Sequence, residues 1–196
     1  MRRRRLSDGG QAFPIYITVV AGLLFLAVAY FAVGQAAVNR SSAQTAADAA
    51  ALAAAQETRD QLAGEWVKDV LDPTKWKDIF EGKAPGLRSP CWRASQLAQW
   101  NDAHLLACDA DGLLSYTVEV QTNKSMGKSL VPITSTKRSK ARATVVIEPL
   151  CTFQGLPESD HDRLPRLFCK KIWDLDPKHL TDLPEPKDLF GVRLVD

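Results

Sequence analysis

The apolar and polar positions of the chain change period several times, and each change marks an element. From Ala12 to Val33 there is no charged residue over 22 positions, and almost every one is apolar. As a helix that run measures roughly 33 Å, enough to cross a hydrocarbon core of about 30 Å. It is too long for the apolar region of a cleaved signal peptide, about 7–15 residues. Behind a polar exit, Asn39-Arg40-Ser41-Ser42, the pattern becomes "AQTAADAAALAAAQ", with no Pro and no Gly. Alanine is the best helix former. Pro14 suits a first helical turn, where its missing N–H costs nothing. No breaker follows until Asp72-Pro73, so one helix is expected from about Pro14 to Leu71, roughly 85 Å long. An alanine helix gains little from burying its own side chains, so neighbours are expected against it.

Beyond Pro73 the period shortens. "TKWKDIFEGKAPGLRSP" reads as loop with a short helix, and "CWRASQLAQWNDAH" as a second helix with Trp92, Leu97 and Trp100 apolar. "HLLACDADG" reads as a short strand and turn. "LLSYTVEVQT" sets Tyr116, Val118 and Val120 against Thr117, Glu119 and Gln121. "KARATVVIEP" alternates Ala141, Ala143, Val145 and Ile147 in the same way. Period 2 with β-branched residues predicts two strands, paired antiparallel. The stretch between them is a polar, basic loop, with five Lys or Arg from Lys124 to Lys140. "FCKKIWDLDP" holds room for one more strand, and "FGVRLVD" alternates as a closing strand.

Charge refines this picture at one end. The net charge is +2, but Arg2, Arg3, Arg4 and Arg5 account for the excess: without them and Asp8, 25 − 4 = 21 basic residues face 23 − 1 = 22 acidic ones. A local basic tail flanking an apolar run is a topology signal, not a nucleic-acid footprint. It places the N-terminus in the cytoplasm and everything after about Arg40 outside. Tyr16 and Tyr30 fall near the two ends of the span. Cys91, Cys108, Cys151 and Cys169 then lie on the oxidising side and are expected in disulfides. Their spacing favours Cys91–Cys108 and Cys151–Cys169, although four cysteines allow three connectivities.

Candidate chemistry is sparse. The chain has no C-x-x-C, and His104, His161 and His179 lack zinc-ligand spacing. No nucleophile elbow, H-E-x-x-H, phosphate loop or dinucleotide fingerprint occurs. Ser159-Asp160-His161-Asp162 collects reactive types in a proline-rich loop, where adjacent residues rarely converge on one substrate. His104 reads as a strand-edge residue. The five tryptophans, Trp66, Trp76, Trp92, Trp100 and Trp173, are expected to anchor a small core. A sugar-binding stripe is the competing reading.

Two stretches carry a family resemblance. "DGGQAFPIYITVVAGLLFLAVAYFAVGQAAVNRSSAQTAADAAALAAA", Asp8 to Ala55, resembles the N-terminal module of TadE/TadG-like proteins of the tight-adherence (Flp-type) pilus assembly machinery; Thr45 to Ala55 is its most specific part. "RASQLAQWNDAHLLACDADGLLSYTVEV", Arg93 to Val120, followed by "KARATVVIEP", is similar to the small exodomain of that group. The likeness is to short TadG-related proteins of actinobacterial type and covers about half the chain. It implies a structural protein, not an enzyme, with no cofactor. The larger TadG proteins carry a metal-binding von Willebrand A domain, whose D-x-S-x-S motif is missing here, so no metal site is expected. Processing by a prepilin peptidase would cut between Gly10 and Gln11, placing Ile15 fifth and Tyr16 sixth. The family pattern has Glu fifth and Tyr sixth. With the Glu absent, the chain is expected to stay uncleaved.

The expected protein is α+β and disulfide-stapled: a basic cytoplasmic tail (1–11), a transmembrane helix (12–36), an alanine-rich extracytoplasmic helix continuous with it (37–72), and a small domain with an antiparallel sheet (73–196). The long helix joined to a small sheet parallels pilin-like proteins. Expected partners are the membrane and other pilin-like or pilus-assembly subunits, itself included, with no nucleic acid and no small-molecule substrate. The helix is expected to pack on them through Ala43, Ala47, Ala50 and Ala54. Rival readings are a cleaved minor pseudopilin and a membrane-anchored wall- or carbohydrate-binding module. A division-type scaffold would want leucine heptads, which the outer helix lacks.

Overall fold

The computed structural model describes residues 12–125, 138–154 and 163–195. The Arg2–Arg5 tail, Gly10 and Gln11, the centre of the basic loop and Ser159–Asp162 lie outside the described residues.

One helix, α1 (Ala12–Lys68), runs unbroken for 57 residues, as the absence of any internal breaker dictates. It stops just before Asp72-Pro73. The Asp72 carboxylate accepts from the Thr74 amide and hydroxyl, and caps α2 (Pro73–Phe80), which has Pro at its first turn. α2 ends at Gly82, where φ is +77° and the Gly82 N–H returns to the Ile79 carbonyl at 3.0 Å. α3 (Cys91–Trp100) follows, then reverses through Asn101 and Asp102. Asp102 takes a left-handed φ of 54°, which a short polar side chain tolerates.

The main sheet has the order β1-β2-β3-β7, all antiparallel: β1 (Ala103–Ala110), β2 (Ser115–Thr122), β3 (Lys140–Pro149) and β7 (Phe190–Val195). The two alternating stretches are its central pair, with Val118 opposite Ala143 and Tyr116 opposite Val145. One face is apolar and buried: Val118, Val120, Ala143, Val145 and Ile147. The other is polar, where Thr117 meets Thr144 at 2.8 Å and Arg142 donates to Glu119 at 3.1 Å. Such a sheet must be covered once, and α1 and α3 cover it: α1 packs on β2, β3 and β7, and α3 on β1 and on α1. A bulge between Leu105 and Ala107 restores the inward phase, so that Cys108 reaches Cys91 at the start of α3.

A second, three-stranded antiparallel sheet is formed by β4 (Thr152–Phe153), β5 (Leu167–Phe168) and β6 (Ile172–Trp173), closed by the Cys151–Cys169 disulfide. The short helix α4 (Pro186–Leu189) leads into β7. Both disulfides are those the spacing favours, and all four cysteines are used.

Candidate interaction surfaces

The long helix has two halves with opposite surroundings. From Phe13 to Ser42 the described side chains are exposed, apart from Val20 and Asn39, which are partly covered. From Ala43 onward one face is closed. The first half is apolar all round: Tyr30 is 84% exposed and Leu23 and Leu24 62% each. A helix with no polar face belongs in a protein interior or in lipid, and none of the described residues encloses this one. It is the one described helix long and apolar enough to cross a membrane, with none of its apolar window buried.

The second half carries the alanines. Ala43, Ala46, Ala47, Ala50, Ala51 and Ala54 are fully buried at helical spacing, and the same stripe continues through Thr58, Leu62 and Trp66. Ala43, Ala47, Ala50 and Ala54, expected on a face open to partners, pack against the chain's own sheet and α3. The reason is geometric. A side chain of one carbon lets a sheet and a second helix approach the α1 backbone closely, and α3 answers with Ala94 and Ala98, both fully buried. Cross-links hold this arrangement: Gln44 reaches the Arg142 carbonyl at 3.4 Å, Thr58 donates to the Tyr116 hydroxyl at 3.1 Å, and Gln61 accepts from the Arg88 amide at 2.7 Å.

Towards the end of α1 small side chains give way to large ones. Trp66 packs against Trp76 with ring centroids 5.5 Å apart and planes tilted by 55°, Trp76 meets Phe153 at 5.4 Å, and Phe80 meets Phe190 at 5.3 Å. This aromatic cluster ties the small sheet to α1 and α2. Trp76 donates its Nε1–H to the Asp69 carbonyl at 3.2 Å, whereas the buried Trp66 Nε1 has no partner among the described residues.

The tryptophans divide. Trp66 and Trp76 anchor the core as expected and Trp173 is half-buried, but Trp92 and Trp100 are 55% and 68% exposed. They lie on the outer side of α3, and the Arg93 guanidinium sits 5.8 Å from the centroid of each ring. The helical pattern of the sequence marks Trp92 and Trp100 as apolar, but α3 spends its inner face on Ala94 and Ala98, leaving the indoles outside. His104 is an edge-strand residue, with Nδ1 2.9 Å from Asn123 Oδ1. Among the described residues no three His, Cys, Asp or Glu side chains gather in a way that would hold a metal.

The projecting half and the first buried turns of α1 are also where the chain is similar to known proteins. Residues 10–57 match the Tad family model, described as Flp pilus-assembly TadE/G-like. That segment is similar to TadE/G-like proteins. It is about a quarter of the chain, and it runs from the start of the apolar span to the fully buried Ala54 and Ala55. No curated protein and no solved structure matches the chain. The match therefore ties the helix to Flp pilus assembly, while the sheet domain rests on its own geometry.

Proposed function

We propose that the chain is a membrane-anchored structural component of a tight-adherence (Flp-type) pilus assembly or secretion system, with its sheet domain on the extracytoplasmic side. The observation that carries this reading is the split in α1: an apolar segment that none of the described residues encloses, inside the TadE/G-like match, joined without a break to a helix locked into its own domain. Other pilin-like subunits, or a second copy, pack on the projecting half, Phe13–Ser42, because the alanine face is already occupied. No step of this role needs a bond made or broken, so the protein acts by packing and not by catalysis.

Site-directed crosslinking in membranes tests it, with single cysteines at Leu24, Val28, Phe31 or Gln35 in a background lacking the native four. Helically periodic crosslinks at these positions, and none at Ala47 or Ala50, are expected. No crosslink at any projecting position, with the protein folded and inserted, would reduce the helix to an anchor and overturn the packing role.

A second reading is favoured by one observation, the exposed Trp92–Arg93–Trp100 group. Two indoles beside a guanidinium suit a sugar face with an anionic substituent, as in a wall polymer. Binding of the full chain to isolated wall polymer, lost in Trp92→Ala/Trp100→Ala, would support that function over the pilus role.

A further inference from the structure

The contacts between α1 and the sheet fix which end of the domain faces the apolar span. Arg142, near the start of β3, is level with Gln44 through their 3.4 Å hydrogen bond. Tyr116, opposite Val145 further along β3, reaches Thr58. The end of β3, at Pro149, pairs with Phe190, which belongs to the aromatic cluster at the far end of α1. β3 therefore runs in the same sense as α1, and its first residues point back toward the span. β2 ends there too: Asn123 donates to the Asp102 carbonyl at 2.7 Å, bringing the α3–β1 reversal to the same level.

This end of the domain is basic. Arg40, Lys124, Arg138, Lys140 and Arg142 are all exposed there. The carboxylates around them are Asp102, 2.7 Å from Lys124, Glu119, bonded to Arg142 and 3.9 Å from Lys140, and Asp48 on α1, bonded by Gln44. Among the described residues, five cations against three anions leave an excess of two. Arg40 and Arg138 make no ion pair among the described residues. Gln44 stands eleven residues beyond Val33, roughly 16 Å along the helix. Lys140, two residues before Arg142, reaches up to about 7 Å back toward the span. That leaves the basic edge roughly 10 Å from the last apolar turn, a few Å beyond a headgroup layer about 5–8 Å deep and about one Debye length away.

We infer that this basic edge rests on the bilayer surface and binds anionic phospholipid headgroups, holding the sheet domain in one orientation beside its own membrane helix. The inference rests on the membrane-anchored reading above. The flexible stems of Lys and Arg let the edge reach phosphates without the domain entering the hydrocarbon. Each net cation at an anionic surface shifts the ratio of docked to undocked domain by roughly fivefold, so an excess of two shifts it by roughly 25-fold.

The test uses the full chain in lipid nanodiscs, with a bimane label on Asn123→Cys and a quencher on the lipid headgroups. Quenching is expected to be several-fold stronger with phosphatidylglycerol present than with phosphatidylcholine alone. It should fall to the phosphatidylcholine level in high salt and weaken several-fold in Arg138→Gln/Lys140→Gln, which removes the two-charge excess of the described residues. A second label, on Val28→Cys with an acyl-chain quencher, reports insertion. If Val28 is not quenched, the membrane reading fails first. If Val28 is quenched but Asn123 responds equally in both lipids, the headgroup contact alone is overturned; the salt titration of the unsubstituted edge keeps that outcome independent of how the variant folds.

Discussion

The burial of the alanine stripe makes a sharp prediction at Ala50. Its side chain is 0% exposed, at the middle of the stretch where α1 lies against the sheet and α3. Ala50→Leu adds three carbons to a contact whose closeness depends on there being only one. Forcing extra carbons into a packed interior costs about 1–3 kcal/mol through shifted rotamers and backbone. Leucine and alanine are both strong helix formers, so helix propensity contributes little to the difference. Ala37→Leu is the matched control, because Ala37 is exposed on the projecting half of the same helix.

The assay is urea unfolding of the full chain in detergent, followed by tryptophan fluorescence, since Trp66 and Trp76 are fully buried at the far end of the same core. With a urea slope of about 1–3 kcal/mol/M, a loss near 2 kcal/mol moves the midpoint down by roughly 1 M. Ala37→Leu should leave it unchanged. If Ala50→Leu unfolds at the wild-type midpoint while disrupting crosslinked assemblies, the alanine face belongs to other subunits after all, and the packing described above is wrong.

Other positions separate further parts of the argument. Trp76→Phe should destabilise more than Trp66→Phe, because the first loses a hydrogen bond to the Asp69 carbonyl and the second removes an N–H with no partner among the described residues; urea midpoints of the two variants compare them. Gly82→Ala should cost more than about 1 kcal/mol, since φ there is +77° and a Cβ would stand 2.8 Å from Leu114 Cδ2; thermal unfolding reads the loss. Cys151→Ala/Cys169→Ala opens a loop with a sequence separation of 18 and should cost roughly 3 kcal/mol, read by protease sensitivity of the small sheet at 37 °C. The Asp72 carboxyl is held below its usual range chiefly by the Thr74 hydroxyl, then by the Thr74 amide and Lys75. Its cap is therefore fully present above about pH 4 and lost as pH falls through the lower folded value. Asp72→Asn should flatten that part of the acid unfolding curve.

Much of the fold was legible because it rests on local periods. The charge-free run, the absence of a breaker before Asp72-Pro73, and the period-2 alternation at Tyr116–Val120 and Ala141–Ile147 each specify an element without knowledge of its neighbours. The favoured disulfides follow from loop lengths, and their geometry agrees. What the sequence hides is which apolar or small face meets which surface. "TAADAAALAAA" has the same composition whether its partner is another chain or the sheet that follows it. Only tertiary contacts such as Thr58 with Tyr116 and Gln44 with Arg142 decide it. Trp92 and Trp100 illustrate the converse: they are the largest apolar residues of α3, yet Ala94 and Ala98 take the inside because the space beside α1 admits only small groups.

The same constraint explains how one helix serves two environments. On the membrane-anchored reading, lipid and neighbouring helices would accept Phe13–Val33 from any direction, so that half needs no stripe and shows none. The sheet accepts α1 from one side only, so from Ala43 the buried positions recur at three- and four-residue steps, with Gln44, Thr45, Gln56 and Asp60 on the exposed side. The change falls within Asn39–Ser42, the polar exit. Because the helix crosses it without a break, a subunit packed on the projecting half, as proposed above, would deliver any tilt or rotation it imposes to the sheet domain as a rigid movement. A Gly-Pro insertion after Ser41 would sever that link while leaving both halves folded, so it should preserve membrane insertion and the domain's urea midpoint but abolish assembly. Retained assembly in such a variant would show that anchor and domain work independently.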